Sequence, residues 1–437
     1  MKFFFKTSEA VNQDSVFSRA KTLVPYIEDL KEIAKKNTYE ADESSINLPF
    51  NDELLSVVKQ MVAEKTNEKL RYIFIVGIGG SNLGTKAVYD ALYETEDVLE
   101  QARPKMIFVD TTNTKVLRIY IDELIPTIKS TEEYLLVTIS KSGGTTETIA
   151  NTEILQNTFL QKFGDTSLNR LVVITDENSK YWQVSIEKKL TTLTLPEKVG
   201  GRYSVFSAVG MFPLAALGFD IESFQKGARD MREICLEIDF FKNPAVQSAT
   251  ILANAFESGK IINDNFIFNS ELESLGKWYR QLLGESIGKE YDKDGKVVRA
   301  GLTPTVSIGS TDLHSVGQLY LGGPDDKITT FIYSIDKSND VKIPENRTFS
   351  SVVEMINDSS VADIMSAILE GTKIAYNNKQ LPFMEIQLET LNPYELGAFM
   401  QFKMVEVMYL GKLLNVNPFD QPNVESYKIE TKKILQS

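Results

Sequence analysis

The stretch that decides the fold is Ser140-Lys141-Ser142-Gly143-Gly144-Thr145-Thr146-Glu147-Thr148. It follows an apolar run from Tyr134 to Ile139, which predicts a buried strand. It precedes residues 149–159, whose apolar side chains recur at helical spacing. A strand, a glycine-containing turn and a helix start together suit an anion, because the first N–H groups of a helix have no intrahelical partner and carry partial positive charge.

This turn also holds more hydrogen-bond donors than a helix start needs. It contains five hydroxyls and one lysine, Lys141, within nine residues. The hydroxyls best placed to donate to phosphate oxygens are those of Ser140, Ser142, Thr145 and Thr146. The alternative is an ordinary Ser or Thr N-cap, which needs only one hydroxyl. The stretch therefore favours phosphate binding over plain capping.

Length and composition limit the class of protein. A chain of 437 residues predicts two domains, and 42% hydrophobic with 24% charged residues is typical of a soluble globular protein. The net charge of −13 argues against a nucleic-acid partner, because binding to the phosphate backbone needs a basic face. No apolar run is long enough for a membrane span, and Met1 to Lys6 is followed by polar residues, unlike a signal peptide. We therefore expect a cytoplasmic protein.

The single cysteine and the single histidine exclude further classes. Cys235 alone cannot form an intrachain disulfide or a thiolate metal cluster, and its apolar helical setting predicts a place in the core. His314 alone cannot build a multi-histidine metal site. It lies in a polar turn, residues 309–315, so acid–base chemistry and simple packing both remain open for it.

The order of elements predicts an α/β fold. Residues 8–67 are expected to be mostly helical, and strands and helices then alternate up to Asp176, which implies a parallel sheet covered by helices. A second round of strands and helices follows Gly200, and it opens with a predicted helix from Tyr203 to Leu217. Ligands of such sheets bind at the carboxyl ends of the strands, where both glycine-rich turns lie.

Two further motifs suggest other functions, dinucleotide binding and hydrolysis, but the evidence for each is weak. The turn after the first strand, residues 77–84, has Asn82 where a dinucleotide fingerprint needs its third glycine, and no nucleoside-triphosphate P-loop occurs. Gly284-Glu285-Ser286-Ile287-Gly288 fits the nucleophile-elbow pattern, but that elbow must follow a strand. The residues before it, 277–283, read as a helix, which disfavours a hydrolase.

Six motifs in order along residues 70–430 resemble the phosphoglucose isomerase family in its shorter bacterial form. They are Gly77-Ile78-Gly79-Gly80-Ser81, the Ser140–Thr148 stretch, Gly200-Gly201-Arg202-Tyr203-Ser204, Gly284-Glu285-Ser286, Ser310-Thr311-Asp312-Leu313-His314-Ser315, and Pro418-Phe419-Asp420-Gln421 with Val424-Glu425-x-x-Lys428. The resemblance implies an aldose–ketose isomerase of glycolysis and gluconeogenesis that interconverts glucose 6-phosphate and fructose 6-phosphate through ring opening and an enediol.

The resemblance also implies a role for each matching residue. Glu285 would be the base that moves a proton between C1 and C2, and Arg202 would stabilise the enediolate. His314 and Lys428 would assist ring opening, with His314 supplied by the neighbouring subunit of a homodimer. The substrate-binding residues would be Gly80, Ser81, Ser140, Lys141, Ser142, Thr145 and Gln421. No cofactor and no metal are implied, and the partner is a small phosphorylated hexose. Taken singly, Glu285 and Lys428 also suit solvated helix-end charges, and Arg202 a helix cap.

The implied fold has two sugar-isomerase-type (SIS) three-layer α/β/α domains with mostly parallel central sheets, plus flanking helices. We expect a helical amino-terminal segment (residues 1–67), a first domain with the phosphate loop (68–220) and a second domain with the carboxy-terminal helices (221–437). Alternatives are a relative acting on another phosphosugar, such as mannose 6-phosphate, and a non-catalytic phosphosugar sensor. Two positions depart from the family pattern: Gly144 replaces a threonine, and Asn423 replaces a glycine, where asparagine still tolerates a left-handed backbone.

Overall fold

The computed structural model describes residues 1–99 and 103–436. Its strands are β1 (Lys2–Phe4), β2 (Tyr72–Val76), β3 (Lys105–Val109), β4 (Tyr134–Ile139), β5 (Leu171–Thr175), β6 (Thr191–Thr194), β7 (Ile262–Ile267), β8 (Lys289–Tyr291), β9 (Val297–Ala300), β10 (Thr303–Ile308), β11 (Lys327–Ser334) and β12 (Phe383–Leu388). Its helices are α1 (Gln13–Ala20), α2 (Val24–Lys36), α3 (Asp52–Lys65), α4 (Leu83–Tyr93), α5 (Thr114–Ile119), α6 (Ile125–Thr127), α7 (Thr146–Phe163), α8 (Lys180–Glu187), α9 (Ala208–Leu217), α10 (Ile221–Cys235), α11 (Pro244–Glu257), α12 (Glu273–Ile287), α13 (Gly317–Gly322), α14 (Val361–Asn378), α15 (Pro393–Leu413) and α16 (Glu425–Gln436).

Two five-stranded sheets organise the described residues. The first has the order β3-β2-β4-β5-β6, and all its strands are parallel. The second has the order β1-β12-β11-β7-β10 and is parallel except for β1. Strands β8 and β9 form a separate antiparallel hairpin directly after α12. The prediction of a mostly parallel α/β fold with many helices is confirmed.

The register of the first sheet places the two glycine-rich turns side by side. Every residue of β4 is buried, as expected for a strand with helices on both faces. Val76, the last residue of β2, pairs with Thr138 of β4, so both strands end at the same edge. The turn after β2 and the loop after β4, which starts at Ser140 and leads into α7 (the Ser140 loop), therefore leave the sheet next to each other.

The amino-terminal segment differs from the helical expectation at its start. Lys2–Phe4 forms β1, which pairs antiparallel with β12 of the second sheet, and Phe5 behind it is buried. The amino group of Met1 lies 2.7 Å from the Glu395 carboxylate on α15, which fixes the chain end. Helices α1 to α3 then follow. The division of the chain into residues 1–67, 68–220 and 221–437 stays a prediction.

The helix predicted from Tyr203 starts five residues later. Residues Gly201–Tyr203 form a 3₁₀ turn instead, and α9 begins at Ala208 after Ser207, whose Oγ accepts from the Val209 N–H at 3.2 Å. The prediction was wrong because the apolar pattern continues through this turn, while Arg202 and Tyr203 are held by side-chain hydrogen bonds to other segments.

Helix α15 runs through the protein interior. Most of its residues are buried, including the Lys403–Glu406 ion pair at 2.8 Å, and Cys235 at the end of α10 is also buried, as predicted. Burial of a charge is tolerated only when it is paired and hydrogen-bonded, and Glu406 further accepts from Tyr279 at 2.6 Å. Across the residues that the structure describes, no helix combines the length and apolar character needed to traverse a bilayer.

A contact between glycine backbones joins the turn after β2 to the turn before α9. A Cβ atom on Gly80 would lie 2.1 Å from the carbonyl carbon of Gly201 and 2.5 Å from the Arg202 nitrogen, so only glycine fits there. Because backbone atoms on both sides close this space, the contact fixes the position of Arg202 relative to the first sheet.

We expect Gly80→Ala to destabilise the protein by at least about 1–3 kcal/mol, the usual range for overpacking a closed site. Thermal unfolding followed by circular dichroism measures the change. The matched control is Gly371→Ala on α14, where an added Cβ meets nothing within 4 Å and the helical propensity of alanine should raise stability. Equal effects of the two substitutions would contradict the close contact.

Candidate active site

The Ser140 loop is anchored to the sheet at its first residue. The Ser140 N–H donates to the Ile174 carbonyl at 3.1 Å, and the Ser140 carbonyl accepts from Thr175 Oγ1 at 2.7 Å, so neighbouring strand β5 holds the loop. Gly143 has φ +66°, a conformation that side chains rarely adopt, and it turns the chain toward α7. Ser142 is exposed at the tip of the loop.

The start of α7 is not capped by its own side chain. Thr145 occupies the N-cap position but makes no capping hydrogen bond; its Oγ1 instead accepts from Ser140 Oγ at 3.0 Å. The first N–H groups of an 18-residue helix are thus left without that cap, which suits an anion supplied from outside. An added Cβ at Gly144 would meet nothing within 4 Å, so the loop has room for the threonine that this glycine replaces.

Lys141 adds a half-buried cation to this loop. Burial lowers the pKa of its ammonium group, and the nearby carboxylates of Asp176 and Glu197 oppose that effect in part. The charged form of Lys141 is therefore less stable in the free protein than that of an exposed lysine. A bound dianion would restore the charged form.

Arg202 is the most heavily hydrogen-bonded side chain of the site, and its side chain is only 1% exposed. It donates five hydrogen bonds to Ser286 Oγ (2.7 Å), Gln421 Oε1 (2.7 Å), the Pro418 carbonyl (2.7 Å), the Asp420 carbonyl (3.1 Å) and Glu285 Oε2 (3.2 Å). A buried charge needs such partners, because an unpaired one carries the full desolvation penalty. The guanidinium is consequently fixed in one orientation, with one N–H directed at Glu285.

Glu285 lies near the end of α12, and its side chain is 33% exposed. Oε2 faces Arg202, and Oε1 accepts from Gln281 Nε2, one helical turn earlier, at 3.2 Å. A carboxylate held from two sides and still open to solvent has the geometry of a general base. Hydrogen bonds join the predicted site residues Glu285, Arg202 and Gln421 into one group, apart from the Ser140–Thr145 pair of the loop.

Four neighbours of this group were not predicted from the sequence. Ser286 Oγ accepts from Arg202 and also hydrogen-bonds with Tyr203 Oη at 3.0 Å, while Gln281 holds Glu285. Lys289, just after the carboxyl end of α12, donates to the Glu285 carbonyl at 2.9 Å. Ser286 and Tyr203 stand inside quoted motifs, so their positions were a usable signal. Gln281 lies one helical turn before Glu285, which helical spacing alone could have shown. Lys289 lies beyond the end of α12.

Among the described residues, neither of the two residues expected to assist ring opening forms a hydrogen bond or ion pair with Glu285. His314 is exposed in a 3₁₀ turn, and within the described part of the chain no hydrogen bond or ion pair involves its ring. Lys428 is 44% exposed on α16 and pairs with Glu425 at 2.7 Å. Ser81, expected to line the sugar, is half-buried in the 3₁₀ turn Gly79–Ser81.

The turn around Asn423 needs no left-handed residue. Asn423 lies in the 3₁₀ turn Pro422–Val424, and it is not among the residues with positive φ. Its Nδ2 donates to Glu290 Oε2 at 3.0 Å. The left-handed tolerance of asparagine is therefore not what preserves this turn. A cavity of about 440 Å³ adjoins Asn423 and Asp420 but includes neither Glu285 nor the Ser140 loop.

Among residues 1–99 and 103–436, no group of three or more His, Cys, Asp or Glu side chains is arranged to hold a metal ion. The polar groups around Glu285 instead hydrogen-bond with one another. The arrangement can move a proton at a carbon next to a carbonyl, since it joins a carboxylate to a fixed cation.

Comparison with known proteins links residues 51–437 to the family model described as phosphoglucose isomerase. The chain is 31% identical over 394 residues to a glucose-6-phosphate isomerase of Carboxydothermus hydrogenoformans, covering 89% of this chain and 84% of that protein. It is 33% identical over 362 residues to one from Methanocaldococcus jannaschii, covering 82% of each. A crystal structure of a hypothetical protein from Thermus thermophilus superposes with a TM-score of 0.87 at 25% identity over 100% of both chains. A glucose-6-phosphate isomerase structure from Chlamydia trachomatis shares the fold, with a TM-score of 0.81 at 20% identity over 99% of this chain and 88% of that one.

The lowered pKa of Lys141 predicts how anion binding depends on pH. As pH rises through the alkaline range, Lys141 should lose its charge before an exposed lysine does, and affinity for inorganic sulfate should fall with it. Calorimetric titration with sulfate, whose own charge is constant there, measures this. Lys141→Arg keeps the charge and should abolish the early loss, while Lys180→Arg, at an exposed position on α8, should leave it in place. A profile that Lys141→Arg does not alter would separate Lys141 from the anion.

Proposed function

This chain belongs to the phosphoglucose isomerase family, and we propose that Glu285 and Arg202 carry the chemical step of the family reaction. The protein is an aldose–ketose isomerase that interconverts glucose 6-phosphate and fructose 6-phosphate reversibly. The observation that supports this placement of the chemistry is the buried Arg202, whose only bond to an ionised side chain among the described residues, at 3.2 Å, goes to Glu285. The reaction belongs to glycolysis and gluconeogenesis, for which we propose a cytoplasmic location.

Glu285 acts on the open-chain sugar. Its carboxylate removes the proton from C2 of the aldose and returns it to C1, while the O2 proton passes to O1. The C2–H bond breaks and a C1–H bond forms, so no oxidant or reductant is consumed and no proton is released. Gln281 holds Oε1 at 3.2 Å, which leaves Glu285 in one orientation through both transfers.

Arg202 stabilises the enediolate between the two transfers. When Glu285 takes up the proton, its carboxylate charge disappears and the same unit of negative charge develops on the sugar oxygens. The bond to Glu285 is the longest of the five that Arg202 makes, so it is the one most readily exchanged for a sugar oxygen. The other four stay in place, and the donor needs no reorganisation at the moment of reaction.

The Ser140 loop binds the phosphate and thereby places the reacting carbons. The hydroxyls of Ser140, Ser142 and Thr145 with the N–H groups at the start of α7 supply donors, and Lys141 supplies charge. Because β2 and β4 end side by side, Gly80 and Ser81 border the sugar from the neighbouring turn. Gln421 lines its other side from the segment bound to Arg202.

Ring opening needs an acid and a base, which we assign to His314 and Lys428 in a homodimer. Among the described residues, His314 is exposed and Lys428 pairs with Glu425, and neither hydrogen-bonds nor forms an ion pair with Glu285. We propose that His314 of one copy completes the site of the other.

We expect Glu285→Gln to lower kcat by several powers of ten, because the amide cannot accept the proton while it keeps the shape of the side chain. The assay supplies fructose 6-phosphate with a chelator present and follows glucose 6-phosphate through a coupled dehydrogenase. The control is Glu290→Gln, three residues past α12, which should retain turnover. Turnover in Glu285→Gln would mean that another group is the base. Binding without turnover in the wild type would favour the sensor alternative.

We expect Ser142→Ala to raise KM by roughly tenfold with little change in kcat, since a hydrogen bond to a charged group contributes about 1.5–3 kcal/mol. Steady-state kinetics with fructose 6-phosphate measures both constants. Thr166→Ala removes an exposed hydroxyl beyond the far end of α7 and serves as the control. An unchanged KM in Ser142→Ala would remove this hydroxyl from the phosphate site.

A further inference from the structure

We propose that Lys289 is a positioning residue for the isomerisation step, which holds the base-bearing end of α12 against the segment that presents Gln421. This inference rests on the proposed role of Glu285. Lys289 is the first residue of the β8 hairpin, one residue after the Gly288 that ends α12, and it is 6% exposed. A lysine buried so far needs a reason, because burial of an ammonium group is costly.

The three N–H donors of the Lys289 ammonium find three acceptors. It donates to the Glu285 carbonyl at 2.9 Å, to Asp420 Oδ1 at 2.9 Å and to the Asp420 carbonyl. The first bond caps one of the last carbonyls of α12, which otherwise lack intrahelical partners. The other two hold a residue 131 positions further along the chain.

These three hydrogen bonds of Lys289 form a clamp between α12 and Asp420, and the Asp420 carbonyl oxygen connects the clamp to Arg202. The Asp420 carbonyl accepts from Lys289 and also from Arg202 Nη2 at 3.1 Å, and Gln421 beside it accepts from Arg202 Nη1 at 2.7 Å. The backbone of Glu285 is thus fixed by Lys289 and its carboxylate by Arg202. Two cations and one shared acceptor therefore set the distance between the base and the residue that lines the sugar.

The geometry separates this role from phosphate binding. Within the described residues, no hydrogen bond or ion pair joins Lys289 to the Ser140 loop, which sits on the first sheet. Loss of Lys289 should therefore displace Glu285 without lowering the affinity of the Ser140 loop for the substrate phosphate. Displacement of a reacting group by about 1 Å can slow a reaction by about 100-fold.

The test compares Lys289→Met with Lys293→Met in the full chain. Lys293 lies in the same hairpin, is exposed, and has no side-chain hydrogen bond or ion pair among the described residues, so its loss removes one charge without touching the clamp. We expect Lys289→Met to lower kcat roughly 10- to 100-fold with KM for glucose 6-phosphate within about threefold of wild type. The primary isotope effect on kcat with glucose 6-phosphate deuterated at C2 should rise, because proton transfer becomes slower relative to other steps.

Four results would contradict the positioning role of Lys289 or the proposed function. A folded Lys289→Met enzyme with wild-type kcat and isotope effect overturns the positioning role, while an inactive wild-type enzyme overturns the proposed function itself. A fall in kcat with an unchanged isotope effect also overturns positioning, since general loss of active enzyme produces it. If circular dichroism shows that Lys289→Met does not fold, Asp420→Asn, which removes the charge facing Lys289, is measured in the same way. An Asp420→Asn enzyme with wild-type kcat and isotope effect then overturns the proposal.

Discussion

The buried guanidinium of Arg202 is the interaction on which the rest of the site depends. Its acceptors come from α12 and from residues 418–421, segments that lie 83 and more positions away in the sequence. A charge taken out of water needs hydrogen-bond partners, so these segments cannot separate without exposing it or leaving it unpaired. The close contact of Gly80 with Gly201 adds the first sheet to the same assembly. One side chain thereby fixes the relative positions of the proposed base, the sugar-lining segment and the turn beside the phosphate loop.

The charges around Arg202 balance before any substrate is present. Two cations, Arg202 and Lys289, meet two carboxylates, Glu285 and Asp420. Burial lowers the pKa of Lys289, and Asp420 opposes that effect. Proton abstraction from a sugar carbon turns a carboxylate into a carboxylic acid and a neutral sugar into an anion, so the balance is kept. The site therefore relocates a charge over a short distance and does not have to stabilise a new one.

The sequence predicted those parts of the fold and site that depend on local pattern. The strand, turn and helix around Ser140 were predicted because an apolar run, a glycine turn and helical periodicity all lie within one short window. Strand β1 was missed because the strand it pairs with in the described sheet, β12, lies more than 380 residues away. The start of α9, at Ala208, was predicted five residues too early, since the hydrogen bonds that hold Arg202 and Tyr203 outside the helix are tertiary.

In the site, Lys289 gave no signal in the sequence, where it is a charged residue in a polar hairpin, because its burial depends on Asp420. The assignment of Glu285 and Arg202 to one active site came from motif resemblance, whereas their direct contact was not predicted.

Helix α16 gives the enzyme an uneven resistance to damage. The proposed isomerisation groups are held in the interior, whereas Lys428 stands on a helix whose described residues are all exposed or half-exposed. Segments with few buried contacts open at a lower free energy than the core. Under mild heating or protease the molecule would first lose Lys428, one of the two groups assigned to ring opening, while Glu285 and Arg202 remain in place. An ageing preparation would then discriminate between the two forms of its substrate, still acting on the rare open chain after the ring has ceased to be accepted.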